Sequence, residues 1–194
     1  RWGGAEDADS IAACHASIDA GVNWIDTADI YGQHRAERLV GQVLKDRRDD
    51  VIVATKCGVA WTMEPTFQIW REARGDYIRR AVDNNLMALG IDVIDIFQVH
   101  WPVAGVPAEE TMGAMVELKN AGKIRAIGVS NYSHADLDAA AGGLHDKPAG
   151  RGQRQLVLAD LVALGQVGIE VVLAREHRRR VHVAFERQRR GDGQ

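Results

Sequence analysis

Cysteine is scarce in this sequence: Cys14 and Cys57 are the only two in 194 residues. That excludes a disulfide framework and leads to the expectation of a reducing, cytoplasmic setting. Proline is equally sparse, with four residues, so a collagen-like or proline-rich chain is excluded. No apolar run approaches the ~20 residues that cross a bilayer, and no membrane association is expected. The opening Arg1-Trp2-Gly3-Gly4 lacks the charged-then-apolar pattern of a secretory leader. It also lacks an initiating Met, so a processed, trimmed or fragmentary chain is expected. A formal net charge of −3 gives no general attraction to nucleic acid or anionic membrane. What remains is a globular composition, 46% hydrophobic and 26% charged. The length suits one domain, or part of a larger one, with a sizeable core.

Lysine is unevenly used. Of five lysines, only Lys147 lies beyond residue 123. Residues 1–147 carry a net charge of −7, whereas residues 148–194 carry nine Arg, no Lys and a net charge of +4. A basic patch around Arg179–Arg180 and Arg187–Arg190 is conceivable, but no interleaved aromatics or nucleic-acid motif accompany it.

The first 147 residues read as alternating strands and helices. Val22–Ile25, Val51–Thr55, Val93–Val99 and Ile124–Val129 are β-prone runs of the kind buried on both faces of a parallel sheet. Asp9 or Ser10 is expected to cap a helix running to Ala20, with Gly21 as its stop. Glu37–Lys45 reads as a second helix. Asp76 is expected to cap a third, with Ile78, Ala81, Val82, Leu86 and Leu89 at helical spacing. Pro107, followed by Glu109 and Glu110, opens a fourth that ends near Ala121-Gly122. This βαβα order shows no hairpin signal. It implies a parallel sheet, either doubly wound or a (β/α)8 barrel. No Gly-x-Gly-x-x-Gly follows a strand, which disfavours a Rossmann cofactor site.

Each strand ends in a polar residue: Asp26, Lys56, His100 and Asn131, separated by 30, 44 and 31 residues. In a parallel barrel all strand C-termini open on one face, where active sites are built. Tyr31 lies five residues past Asp26, within reach of that mouth. Together these types can move a proton. A Tyr hydroxyl is a poor acid, with a reference pKa of about 10. A nearby Lys favours the phenolate and lowers that value. An Asp holds the Lys, and a His positions a carbonyl oxygen. Singly, each has a plainer role: Asp26 a turn cap, Lys56 a solvated strand end, His100 a structural histidine, Tyr31 a rim aromatic. Ser130-Asn131 could cap the next helix instead. Cys57 is expected to be buried, Asp29 and Gln33 are expected to be loop polar groups, and no histidine spacing suggests a metal site.

The segment Gly21–Gly32, containing Asp26-Thr27-Ala28-Asp29-Ile30-Tyr31, resembles the signature of the aldo-keto reductase family. Val53-Ala54-Thr55-Lys56 resembles its Lys strand, Gln98-Val99-His100-Trp101-Pro102 its His strand, and Gly122–Asn131 its Ser-Asn strand. The similarity covers residues 2–147. It implies a partial (β/α)8 TIM barrel, of which residues 1–147 would supply strands 2–5, reducing aldehydes or ketones with NADPH (NADP). By resemblance Tyr31 is the general acid, Lys56 lowers its pKa, Asp26 pairs with Lys56 and His100 orients the carbonyl. Asp26, Ser130 and Asn131 would contact the cofactor. Trp101 and Trp2 would line the substrate pocket, and the partner is a small carbonyl compound.

The pattern fades beyond Pro148. A Gln-bearing strand and the basic segment that would hold the adenosine phosphate are not found there. Residues 148–194 are therefore expected to be a non-matching segment scrambled by a reading-frame error or by gene decay, although Val157–Leu173 keeps a helical apolar pattern. Ile169–His177 resembles the family's sixth helix. An incomplete barrel leaves strand edges unpaired, so the chain is expected to fold poorly alone and to reduce carbonyls feebly or not at all. Three other readings stay open. One is a cofactor-binding interaction module resembling potassium channel β subunits. Another is a Schiff-base enzyme using Lys56, and the last is an inactive fragment.

Overall fold

The computed structural model describes residues 6–145, 161–164 and 170–171. Trp2 and most of the segment beyond residue 147, including Ile169, Arg179–Arg180 and Arg187–Arg190, lie outside the described residues. In chain order the elements are α1 (Asp7–Asp19), β1 (Trp24–Asp26), α2 (Arg35–Arg47), β2 (Ile52–Cys57), β3 (Val59–Thr62), β4 (Gln68–Arg71) and α3 (Gly75–Leu89). They continue with β5 (Ile94–Val99), α4 (Ala108–Asn120), β6 (Ile124–Ser130), α5 (His134–His145), β7 (Leu161–Leu164) and β8 (Glu170–Val171).

The main sheet runs β1-β2-β5-β6-β7-β8. Its first five strands are parallel, each pair joined in sequence by a helical crossover as parallel strands require. Helices cover one face, where Val43, Ile78, Val82, Phe97, Met112 and Met115 are fully buried. The other face carries Trp24, Ile52, Ala54, Ile96 and Ala126 as a separate apolar layer. This is part of a TIM barrel, with helices outside and a layered interior.

Side chains alternate across a strand. The inward parity that places Ile52 and Ala54 inside therefore also carries Lys56, just as Ile96 leads to Gln98 and His100. The register aligns Lys56 with Gln98. Polar strand ends thus gather above an apolar floor.

Several boundaries differ from expectation. Helix α1 starts at Asp7 with Glu6 outside it, ahead of Asp9 and Ser10. Helix α3 starts at Gly75, so Asp76 sits inside the first turn, where its carboxylate pairs with Arg80 at 2.9 Å instead of capping. Helix α2 packs close to α3: a Cβ built on Gly41 would lie 2.6 Å from the Leu89 carbonyl oxygen, so only glycine permits this approach.

The expectation of no hairpin is corrected. β3 and β4 pair antiparallel, Val59 opposite Arg71. Their five-residue connection, 63–67, lacks the Asn-Gly or Asp-Gly pair that marks tight hairpins. The one visible trace was the 44-residue step from Lys56 to His100, longer than its neighbours because the hairpin is inserted there. The helical pattern over Val157–Leu173 is also corrected. Leu161–Leu164 is a strand that pairs parallel with β6, and Glu170–Val171 pairs antiparallel with it. Four apolar residues in a row fit either period, and pairing to an open edge decides for the strand. Among the described residues no helix is long and apolar enough to cross a membrane.

Candidate active site

Strand β1 delivers Asp26 and strand β2 delivers Lys56 to the same end of the sheet. The Lys56 ammonium donates to Asp26 Oδ2 at 2.5 Å and to the Thr27 carbonyl oxygen at 2.9 Å. Lys56 is 4% exposed, so its partners replace water almost completely. Gln98, one β5 step below His100, donates from Nε2 to Asp26 Oδ1 at 3.1 Å. Asp26 is therefore held from two strands, and Gln98 is a site residue that the sequence pattern did not single out.

Tyr31 sits on the loop after β1. Turn bonds from Tyr31 N–H to the Ala28 carbonyl (3.1 Å) and from His34 N–H to the Asp29 carbonyl (2.7 Å) shape that loop. The Tyr31 ring lies 5.5 Å from Lys56 Nζ and meets the His100 ring edge-on at 5.9 Å. His100 stacks with Trp101 at 6.3 Å. Ser130 is buried at the end of β6, and Asn131 follows with a left-handed φ of 62°. Asn131 Nδ2 donates to the His100 carbonyl oxygen at 2.8 Å and to Ser130 Oγ at 3.1 Å. Asp26, Tyr31, Lys56, His100, Trp101, Ser130 and Asn131 thus share one mouth. Trp2 lies outside the described residues.

The Tyr31 phenol is pushed up from its ordinary value, first by burial and then by Asp26 and Asp29. Tyr31 is therefore fully protonated near neutrality, the form that can give a proton. His100 is lowered to about 4, chiefly by burial, then by Lys56, with Asp26 opposing and Arg71 adding to the fall. It is neutral above that value. Its Nδ1 is buried without a hydrogen-bond partner.

Beneath the mouth lies a polar network absent from the sequence reading. Glu37, fully buried on α2, accepts from Thr55 Oγ1 at 2.6 Å, from Asn85 Nδ2 at 2.9 Å and from the His34 ring. Asn85 also donates to the Lys56 carbonyl oxygen at 3.1 Å. The signal was available. Glu37 falls on the buried stripe of α2 with Val40 and Leu44, and Asn85 on that of α3 between Val82 and Leu89. A polar side chain on an apolar stripe needs a partner.

Asp29, expected to be a loop polar group, is 2% exposed. Its carboxyl is pushed up to about 8, mainly by burial and next by Glu37, against hydrogen bonds from Ile30 N–H and Tyr77. The folded chain therefore keeps a proton that the unfolded chain releases near pH 4. Stability from this group is complete below about pH 4 and is lost as pH rises towards 8. Asp29→Asn is expected to flatten that fall, read as urea midpoints across the same range. Equal slopes in both chains would show that another group titrates.

A shallow cleft between the C-terminal ends of α2 and α3 lies at the opposite end of the strands. Arg48 and Arg125 in its wall are both paired with Asp95. It contains none of the convergent residues. Among the described residues no cluster of His, Cys, Asp and Glu could hold a metal.

The partial parallel β/α barrel thus brings Asp26, Lys56, Tyr31 and His100 together at the C-terminal strand ends, the end of such a fold where active sites are built. The chain belongs to the aldo/keto reductase family, an oxidoreductase family whose sequence model matches residues 1–150. It is 45% identical over 139 residues to the aldo-keto reductase YhdN of Bacillus subtilis, covering 71% of this chain and 41% of that one. Among solved structures it resembles a glycerol dehydrogenase from Gluconobacter oxydans, with a TM-score of 0.68 and 37% identity over 73% of this chain and 44% of that one. It also resembles an aldo-keto reductase from Klebsiella pneumoniae in complex with NADPH, with a TM-score of 0.64 and 30% identity over 84% and 59% of the two chains. The chain thus spans less than half the length of the curated relative it matches.

Proposed function

We propose that this chain carries the proton-transfer end of an NADPH-dependent reductase that converts aldehyde or ketone carbonyls to alcohols. One observation supports this most: Tyr31 lies between the Lys56–Asp26 pair and the neutral His100 ring at a strand-end mouth. Tyr31 gives its proton to the carbonyl oxygen as negative charge grows there. His100, neutral in the working range, can hold that oxygen through a ring N–H. Lys56 then stabilises the phenolate, and Asp26, held by Gln98, keeps Lys56 in place.

The residues fit a nicotinamide cofactor. Asn131 Nδ2 is already bonded, which leaves Oδ1 to accept from the carboxamide, and the Ser130 hydroxyl can donate to it. The bound cofactor would supply hydride to the carbonyl carbon. The basic residues expected to select NADPH through its phosphate fall outside the described residues. Comparing NADPH with NADH in single-turnover reduction of a simple aldehyde, with the chain in excess, tests both cofactor and activity. Absence of turnover with either cofactor, in a chain that shows a cooperative urea transition, would refute the reading.

The same division of the chain is proposed, with residues 1–147 as the family-matching barrel portion and 148–194 as a segment read out of frame, even though Leu161–Leu164 extends the sheet beside β6. Resequencing beyond residue 140 and translating all three frames tests it. A Gln-bearing strand in another frame supports the division, and confirmation of the given frame with no such strand rejects it. The free thiols Cys14 and Cys57 suit a cytoplasmic setting.

A further inference from the structure

The hairpin β3–β4 springs from the end of β2, immediately beyond Lys56 and Cys57, and so stands at the mouth. Two backbone hydrogen bonds fix its base. Glu72 N–H donates to the Gly58 carbonyl oxygen at 3.1 Å, and His100 N–H donates to the Cys57 carbonyl oxygen at 2.7 Å. Gly58 takes a φ of 103°, and a Cβ there would sit 3.5 Å from both the Glu72 carbonyl oxygen and the His100 nitrogen. Farther out, Trp61 packs edge-on against His34 at 5.2 Å. Arg71, the last residue of β4, is therefore held at a defined height above the site.

Arg71 is exposed, and its guanidinium carbon lies 4.3 Å over the Trp101 ring. Trp101 in turn stacks on His100, whose ring meets Tyr31. The order from proton donor outwards is Tyr31, His100, Trp101, Arg71. Among the described residues Arg71 makes no salt bridge. The adjacent acid, Glu72, is taken by Arg74, whose N–H and guanidinium it accepts at 3.1 and 2.7 Å. The other cation at the mouth, Lys56, is neutralised by Asp26. Arg71 is thus the one strand-end cation of the described site whose fork of donors is open to a ligand. Such a fork matches a carboxylate in a bidentate geometry that an ammonium cannot reproduce. The ring beneath it holds the guanidinium carbon at 4.3 Å.

We propose that Arg71 determines substrate specificity by binding a carboxylate carried on the carbonyl substrate, so that the site prefers oxo acids over their neutral counterparts. This rests on the carbonyl-reductase reading, since the carbonyl must lie at Tyr31 while the carboxylate reaches past Trp101. Arg71 stands one ring beyond His100, so the two groups of such a substrate are joined by a short aliphatic chain that passes Trp101.

The test uses the 194-residue chain with succinic semialdehyde and its methyl ester, and with R71M and R71K. Binding is measured by calorimetry with NADP present, so that no turnover is needed, and single-turnover reduction is measured with NADPH. The parent is expected to bind the acid at least tenfold more tightly than the ester. R71M should erase that ratio, and R71K should keep only part of it, because an ammonium offers no fork. The acid preference should also shrink as salt is raised. A ratio near one in the parent, or one left intact in R71M, overturns the proposal. So does an equal loss for both ligands in R71M, which would make Arg71 a support for Trp101 only. Turnover without charge preference would leave the reductase reading standing and remove this one. Charge-selective binding without turnover would remove the reductase reading and leave only the carboxylate-binding half of this proposal.

Discussion

Tyr31→Phe is expected to lower single-turnover carbonyl reduction by roughly 10²–10⁴-fold, the range spanned by a positioned acid. The substitution removes one oxygen and keeps the ring. The edge contact with His100 and the packing near Lys56 should survive, and cofactor affinity should be retained. The loss should therefore fall on the chemical step. The raised phenol pKa also fixes the shape of the pH profile. The rate should be flat across neutrality and fall only in alkali, as the proton needed for transfer is lost. No inflection near the ordinary histidine value is expected, because His100 is neutral above about 4. A Tyr31→Phe rate within a few fold of the parent would remove Tyr31 from the mechanism.

The largest structural effect is expected at Glu37. Its two oxygens serve Thr55, Asn85 and His34, all from within the packed layer between α2, β2 and α3. Glu37→Ala leaves these groups facing a void. Each buried polar group without a partner costs about 1–3 kcal/mol, so a total loss of about 3 kcal/mol or more is expected. Domains of this size are marginal. The variant is therefore expected to lose its cooperative urea transition at room temperature. Glu37→Gln keeps one acceptor oxygen and should lose only about 1–2 kcal/mol. An unchanged urea midpoint in Glu37→Ala would show that Glu37 does not anchor this layer. Activity should fall in parallel, since Asn85 ties the same network to the Lys56 backbone.

The strands and their polar ends were legible because parallel strands buried on both faces leave continuous apolar runs. A polar residue closing such a run, as Lys56 and His100 do, stands out. The helices were legible from periodicity, but their starts were not. Asp76 has the chemistry of a cap, yet Gly75 could already take helical geometry and moved the boundary by one turn position. The hairpin was hidden because its five-residue loop carries no turn-specific pair. Arg71 was hidden with it, since its place over Trp101 depends entirely on that insertion. The Glu37 network is a tertiary property. Its members come from α2, β2 and α3, up to 48 residues apart, and no local spacing joins them.

Deuterium transfer tests the central claim most directly. The 194-residue chain would be given NADPH labelled with deuterium at the transferred position and a simple aldehyde, and the alcohol analysed by mass spectrometry. Reduction at the Tyr31–His100 mouth predicts one deuterium on the former carbonyl carbon, and the labelled alcohol should fall to background in Tyr31→Phe. Unlabelled alcohol, or labelled alcohol formed equally by parent and variant, would contradict it.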